Sequence, residues 1–241
     1  MRGPLKIVII SDIHGSLAAL DALPEHNFDE LWCIGDLVEF GPNPHEVMKW
    51  VRQQAKITVR GNHDHAAGFS VDPQCSAPFK KLAEDTLRFT QSVCTQDDFA
   101  YLRSLSLRHE RTVNSTRFYL VHAMPSDPLF GYCPEESERW TNEVERIQVD
   151  VLIVGHTHTP FVPREGENPD PQPRQPRSAQ NRTPSGLLRD LGRREDRIEG
   201  IRLSRRGDRS RIRALPIPTD EQDALIGLLK TGNLPAEYSV R

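Results

Sequence analysis

The chain has 241 residues, 37% hydrophobic and 7% aromatic, with a mean hydropathy of −0.57. That length allows one or two domains, and no apolar run approaches the roughly 18 residues of a membrane-spanning helix. The formal charge of −3 conceals two unlike parts: residues 164–213 hold 14 of the 31 basic residues, all arginine, and 8 of the 34 acids, so this stretch carries +6 and the rest −9. A strongly basic nucleic-acid binder is thereby excluded for the main body, although not for that one stretch.

The elements alternate from the start. Ile7–Ile10 reads as a strand buried on both faces, too short for a signal-peptide core and with no small-residue cleavage site after it. Ser16 caps a short helix carrying Leu17, Leu20 and Leu23, and Leu31–Ile34 is a second strand. After the turn Gly41-Pro42-Asn43-Pro44, Pro44 starts a helix to about Gln54 with Val47, Trp50 and Val51 on its inner face. Ile57–Val59 is the third strand, so a parallel or mixed sheet with helices on its faces is expected. A helix over 78–93 turns Phe79, Leu82, Ala83, Phe89 and Val93 inward, and Thr95 caps the next, which buries Phe99 and Leu102. Strands at Arg108–Val113 and Arg117–His122 flank Asn114-Ser115 in a hairpin, and Val149–Val154 is a further apolar strand. At the far end Thr219-Asp220-Glu221-Gln222 has the form of a capping box, opening a helix with Leu225, Leu228 and Leu229 that Gly232 stops. Cys33, Cys75, Cys94 and Cys133 lack CxxC spacing, which argues for reduced, mostly buried thiols and a cytoplasmic protein.

Metal-ligand side chains follow the strands at once: Asp12 and His14, then Asp36, then Asn62, His63 and Asp64, then His122, then His156 and His158. Ligands in open α/β sheets bind outside the carboxyl ends of strands. A mixture of carboxylate and imidazole suits manganese, iron, zinc, cobalt or nickel better than an all-oxygen cage. Gly15, Gly35, Gly61 and Gly155 stand where the chain leaves a strand, and positive φ is expected there. In Asp12-x-His14 and His156-x-His158, spacing by two on an extended segment would point both donors of each pair the same way. Singly, each pattern is common; the ordered set after successive strands is not.

In this order the motifs resemble the calcineurin-like metallophosphoesterase superfamily, most closely its compact bacterial phosphodiesterase-like members, over about residues 5–162. The match includes Gly35-Asp36-Leu37-Val38-Glu39-Phe40-Gly41-Pro42-Asn43-Pro44 and His122-Ala123-Met124-Pro125. The resemblance implies an α/β fold, a four-layer αββα sandwich of two mixed sheets flanked by helices, as one domain over 1–241. It implies two divalent transition-metal ions, manganese first, with iron, zinc, nickel or cobalt as alternatives. Asp12, His14 and His158 correspond to ligands of the first ion, Asp36 to the shared carboxylate, and Asn62, His122 and His156 to ligands of the second. His63 corresponds to the group that protonates the leaving oxygen, with Asp64 orienting it or capping the following turn. A hydroxide between the ions would attack phosphorus in line. Seven such side chains converging without a cation would leave buried groups uncompensated at about 1–3 kcal/mol each. A small phosphoester or nucleotide is the expected substrate. The alternatives are a dinucleoside-polyphosphate hydrolase, a protein phosphatase, or a non-catalytic interaction scaffold such as the retromer subunit of this fold.

His26, His45, His65 and His109 receive no role. Arg60, Phe40 and Tyr132 are suited to meet a phosphate or a base ring, and Arg60 equally to cover the sheet edge; none is assigned. Relatives usually complete a second sheet after Pro163, whereas this chain continues with Gln, Pro, Arg and Ser, and Leu187–Leu191 is its one dense apolar patch before Ile212. Residues 164–186 read as a disordered linker. The whole Arg-rich stretch admits two further readings: an out-of-frame segment, which a confirmed coding frame removes, and a basic arm for RNA or an acidic partner.

Overall fold

A computed structural model describes residues 5–23, 27–135, 137–158, 187–188, 199–200 and 207–231. The linker expected over 164–186, His26 and Gly232 lie outside them. In chain order the elements are β1 (Ile7–Ile10), α1 (Leu17–Asp21), β2 (Glu30–Cys33), α2 (Pro44–Gln54), β3 (Ile57–Thr58), α3 (Asn62–Phe69), α4 (Ala77–Val93) and α5 (Gln96–Ser104). They continue with β4 (Arg108–Val113), β5 (Thr116–Val121), α6 (Arg139–Ile147), β6 (Val151–Ile153), β7 (Leu187–Leu188), β8 (Glu199–Gly200), α7 (Gly207–Arg213) and α8 (Thr219–Thr231).

Two mixed sheets result, ordered β3-β2-β1-β7-β8 and β4-β5-β6. In the first, β1 runs parallel to β2 and β2 to β3, while β7 pairs antiparallel to β1 through Val8↔Leu188. In the second, β4 and β5 form the expected hairpin, with Asn114 and Ser115 at φ 48° and 71°, as a two-residue turn with the twist of the strands requires. β6 then joins β5 in parallel.

Alternation along β1 builds the layers. Ile7 and Ile9 face the second sheet and meet Phe118, Leu120 and Ile153, whereas Val8 and Ile10 face α1, α2 and α5 through Leu20, Val47, Val51 and Leu102. Trp32 and Phe118 close the inter-sheet core edge to face, with ring centroids 5.3 Å apart. Trp140 of α6 packs with Leu152 and Val154 on the outer face of the second sheet, which completes the four layers. Thr95 caps α5 as expected, its hydroxyl accepting the Asp98 N–H at 3.2 Å, and Asp98 completes a capping box by accepting the Thr95 N–H at 2.8 Å. Thr95→Ala is expected to cost about 1 kcal/mol in denaturant unfolding.

Several expectations shift. Val93, on the last turn of α4, is exposed rather than inward, because that turn runs past the core. The third strand ends at Thr58, and Val59 makes only an isolated bridge to Ser106. α3 and α6 lie where no helix was expected, since α3 opens on four polar residues and α6 is mostly polar. Within the Arg-rich stretch, β7 and β8 extend the first sheet and α7 is helical, with Ile212 buried. α7 and α8 dock on α4: Ile212, Leu215, Leu225 and Ile226 surround Leu82, and Phe40 packs against that cluster. The four cysteines are free thiols, Cys33 and Cys133 being buried. Among the described residues no helix is long and apolar enough to cross a membrane.

Candidate metal centre

The segments leaving β1 and β2 run side by side, held by Asp12 N–H to Gly35 O at 3.0 Å, His14 N–H to Asp36 O at 2.9 Å and Gly15 N–H to Leu37 O at 2.7 Å. The segments after β5 and β6 are joined likewise by Gly155 N–H to His122 O at 2.8 Å. These bonds bring four strand ends to one edge. Asp12, His14, Asp36, His156 and His158 all stand at positive φ, between 47° and 67°. The donor pairs are therefore not extended, contrary to the alternation argument, and left-handed residues set their directions instead. Asp12 and His14 still share a cluster, whereas His156 and His158 divide between two.

One donor atom from each of Asp12, His14, Asp36 and His158 lies within 4.8 Å of the others, and the same holds for Asp36, His122 and His156. Asp36 belongs to both clusters. Its Oδ2 lies 3.7 Å from His14 Nε2 and 3.1 Å from His122 Nε2. Asn62 joins the second cluster: its amide donates to Pro73 O at 2.9 Å, which turns Oδ1 to within 3.2 Å of His122 Nε2. His158 Nε2 is 3.3 Å from Asp12 Oδ1, and the His156 N–H reaches the same carboxylate at 3.1 Å.

The ring tautomers follow from their carbonyl partners. His14 Nδ1 donates to Val38 O at 3.0 Å and His122 Nδ1 to Ile34 O at 2.7 Å, because a carbonyl can only accept. Nε2 of each ring is thereby turned inward, that of His14 to 3.1 Å from His158 Nε2 and that of His122 toward the Asp36 and Asn62 oxygens. Imidazole nitrogens and carboxylate oxygens that converge in a buried cluster suit a cation between them, and a backbone carbonyl behind the far nitrogen is the usual support of a metal-bound histidine. The donor set fits divalent transition metals.

Burial works against a charged His122, yet Asp36 beside it raises the ring to about 9. Burial pushes His14 down to about 3 and, with the His122 charge, His156 to about 4. The Asp12 carboxyl is pushed up by burial but pulled down further by His158, to about 2.

Glycine serves space here as much as φ. Gly15 and Gly35 are at positive φ, 61° and 93°, but Gly61 and Gly155 are not. A Cβ on Gly61 would lie 2.0 Å from Asp36 Oδ1, and one on Gly155 would lie 2.1 Å from Ser11 Oγ.

His63 is buried beside the first cluster, its ring 5.0 Å from that of His14. Both its ring nitrogens have partners other than Asp64: Nδ1 lies 2.7 Å from Glu39 Oε2, and Nε2 lies 3.4 Å from Cys75 Sγ. Asp64 accepts the N–H groups of Asp36, Leu37 and Gly61 at 2.8–3.0 Å and so clamps the segment after β2. The carboxylate against the His63 ring is thus that of Glu39, and Asp64 holds the turn, the second of the two positions expected of it. Burial opposes a charge on His63, but Glu39 and then Asp36 raise its pKa well above the ordinary value. Sequence reasoning passed over Glu39 and Cys75. An acid inside the apolar run Leu37-Val38-Glu39-Phe40 was the available signal for the first; nothing marked the second.

The sandwich and its paired carboxylate–imidazole clusters define the metallophosphoesterase class. The model of the calcineurin-like phosphoesterase family matches residues 5–160, and the chain belongs to that family. An uncharacterised Methanocaldococcus jannaschii protein is 29% identical over 167 residues, which is 67% of this chain and 66% of that protein. A symmetrical bis(5'-nucleosyl)-tetraphosphatase of Aromatoleum aromaticum is 28% identical over 151 residues, 59% of this chain and 52% of its own length. The chain therefore spans between about half and two thirds of these curated relatives. Among solved structures, a metallophosphoesterase from Sphaerobacter thermophilus superposes with a TM-score of 0.71 at 23% identity, covering 96% of this chain and 100% of that one. A hypothetical protein from Pyrococcus horikoshii gives 0.73 at 17%, with the same coverage. Both share the fold.

Proposed function

We propose that the protein hydrolyses small phosphoesters, nucleotides among them, with two divalent transition-metal ions, manganese foremost. The convergence of carboxylate and imidazole donors in two buried clusters that share Asp36 carries this reading. Asp12, His14, Asp36 and His158 would hold one ion and Asp36, Asn62, His122 and His156 the other. Bound ions would supply Lewis-acid polarisation of the phosphoryl oxygens and a more acidic water. His63 would hold a proton for the leaving oxygen, and Glu39 would fix its ring and favour that proton. Asp64 would keep the segment carrying Asp36 in place.

The direct test is hydrolysis of p-nitrophenyl phosphate and bis-p-nitrophenyl phosphate by manganese-loaded protein, with metal counted by elemental analysis. Turnover with two ions per chain is expected. A loaded protein inert toward both esters and toward nucleotides ends the catalytic reading, and a protein that takes up no metal favours the scaffold. The tetraphosphatase-named relative supports a narrower second reading, symmetrical cleavage of bis(5'-nucleosyl) tetraphosphates. Diadenosine tetraphosphate yielding only the diphosphate would establish it, and an intact substrate would dismiss it.

Glu39→Gln is expected to lower turnover about tenfold. Losing the Glu39 charge lowers the His63 pKa, so a reaction that needs His63 protonated fails earlier as pH rises. The alkaline limb of the pH–rate profile should accordingly move to lower pH, and an unmoved limb would separate Glu39 from His63.

A further inference from the structure

The face of α3 that begins at Asn62 continues into a row of rings unused in the chemistry above. The Arg60 guanidinium carbon lies 5.0 Å from the Phe69 ring centroid. Phe69 is 4.7 Å from the His65 ring, inclined by 37°, and His65 meets Phe130 edge-on at 6.4 Å. The row is braced from behind: Arg60 Nη1 donates to Arg103 O at 3.0 Å, and Arg103 Nη1 donates to Gly68 O at 2.9 Å. Yet Phe69 keeps 43% of its surface in solvent, and Tyr132, two residues after Phe130, keeps 64%.

Both elements bearing the rings start at the second donor cluster. Helical periodicity puts positions 62, 65, 66 and 69 on one face, so His65 stands about 4.5 Å and Phe69 about 10.5 Å along the axis beyond Asn62. Phe130 belongs to the loop that leaves β5 directly after His122. That loop is closed by Ala123 N–H to Pro128 O at 3.0 Å and Met124 N–H to Asp127 O at 3.1 Å. One to two helical turns is of the order of the reach from a nucleotide's phosphate to the near and far edges of its base.

We infer that Arg60, His65, Phe69 and Phe130 form a nucleobase-stacking subsite, which holds the base of a nucleotide while its phosphate meets the donor clusters. The inference rests on the phosphoester reading and names the substrate class within it. Flat π-faces backed by a guanidinium accept any base, because stacking needs a ring and not a particular hydrogen-bond edge. Arg60 thus acts as the support behind Phe69, and His65 gains a role that the sequence did not give it.

Calorimetric titration of the manganese-loaded full chain with adenosine 5'-monophosphate and with ribose 5-phosphate reads the subsite directly. The nucleotide is expected to bind at least about tenfold more tightly, the effect of one stacked base. Phe69→Leu and Phe130→Leu keep apolar volume without a π-face. They should remove most of that advantage and leave the affinity for ribose 5-phosphate as it was. Equal affinities in the unaltered chain, no nucleotide binding, or an advantage that survives both substitutions would overturn the subsite. The two readings fail separately. Bis-p-nitrophenyl phosphate cleaved without a nucleotide advantage defeats the subsite alone, and a nucleotide advantage in a protein that cleaves nothing defeats the hydrolase alone.

Discussion

Asp36→Asn is expected to drop the metal content from two ions per chain to one or none and to lower turnover by at least about 10³-fold, the scale of several kcal/mol of lost charge stabilisation. Among the described residues only Asp36 belongs to both clusters. Asparagine preserves its shape, tolerates the left-handed backbone at φ 55° and can still accept the His63 N–H that Asp36 Oδ1 receives at 3.0 Å. The substitution therefore removes charge and little else. Thermal unfolding separates this from a folding defect. An ion held only by the native state contributes about 2.7 kcal/mol at a hundred times its Kd, and the variant should lose most of that manganese-dependent gain. Two ions still bound to the variant would refute the shared carboxylate.

His63→Ala should lower turnover by about 10²–10⁴-fold, the range of a positioned proton donor, with both ions retained. The loss should depend on the leaving group. A p-nitrophenolate departs without a proton, whereas an alkoxide does not, so alkyl esters should suffer the larger penalty. Equal losses across leaving groups would mean that His63 acts in some other way. Loss of metal would mean that the ring is a ligand after all.

What the sequence made legible follows from periodicity. The two-sided burial of Ile7–Ile10, the stripe of Val47 and Val51, and the cap by the Thr95 hydroxyl each depend on neighbours a few residues away, and each stands in the structure as expected. The donors were legible because each follows a strand whose apolar run is plain. Their directions were not, because five of them take the left-handed conformation through contacts between segments far apart in sequence. α3 was hidden because Asn62-His63-Asp64-His65 offers side chains to the site and little apolar surface to a core. Glu39 depended on a neighbour 24 positions away, His63, and no local pattern encodes such a pairing. Gly61 and Gly155 were singled out for φ, yet serve to let Asp36 and Ser11 come close; sequence shows where the chain turns, not what presses on it.

Phe40 gives the C-terminal helices a bearing on the chemistry. Its ring stands 4.9 Å from both His14 and His63, and the other side of its environment is the cluster of Ile212, Leu215, Leu225 and Ile226. The segment that matches the family model stops at residue 160 and contains every donor, but the wall behind His14 and His63 is built in part from beyond it. A fragment cut at that boundary would carry the whole inventory of ligands and lack the buttress that keeps His14 and His63 at their spacing. Holding the parts and holding the workshop are different requirements, and in this chain the second falls to the end of the Arg-rich stretch and the helix after it.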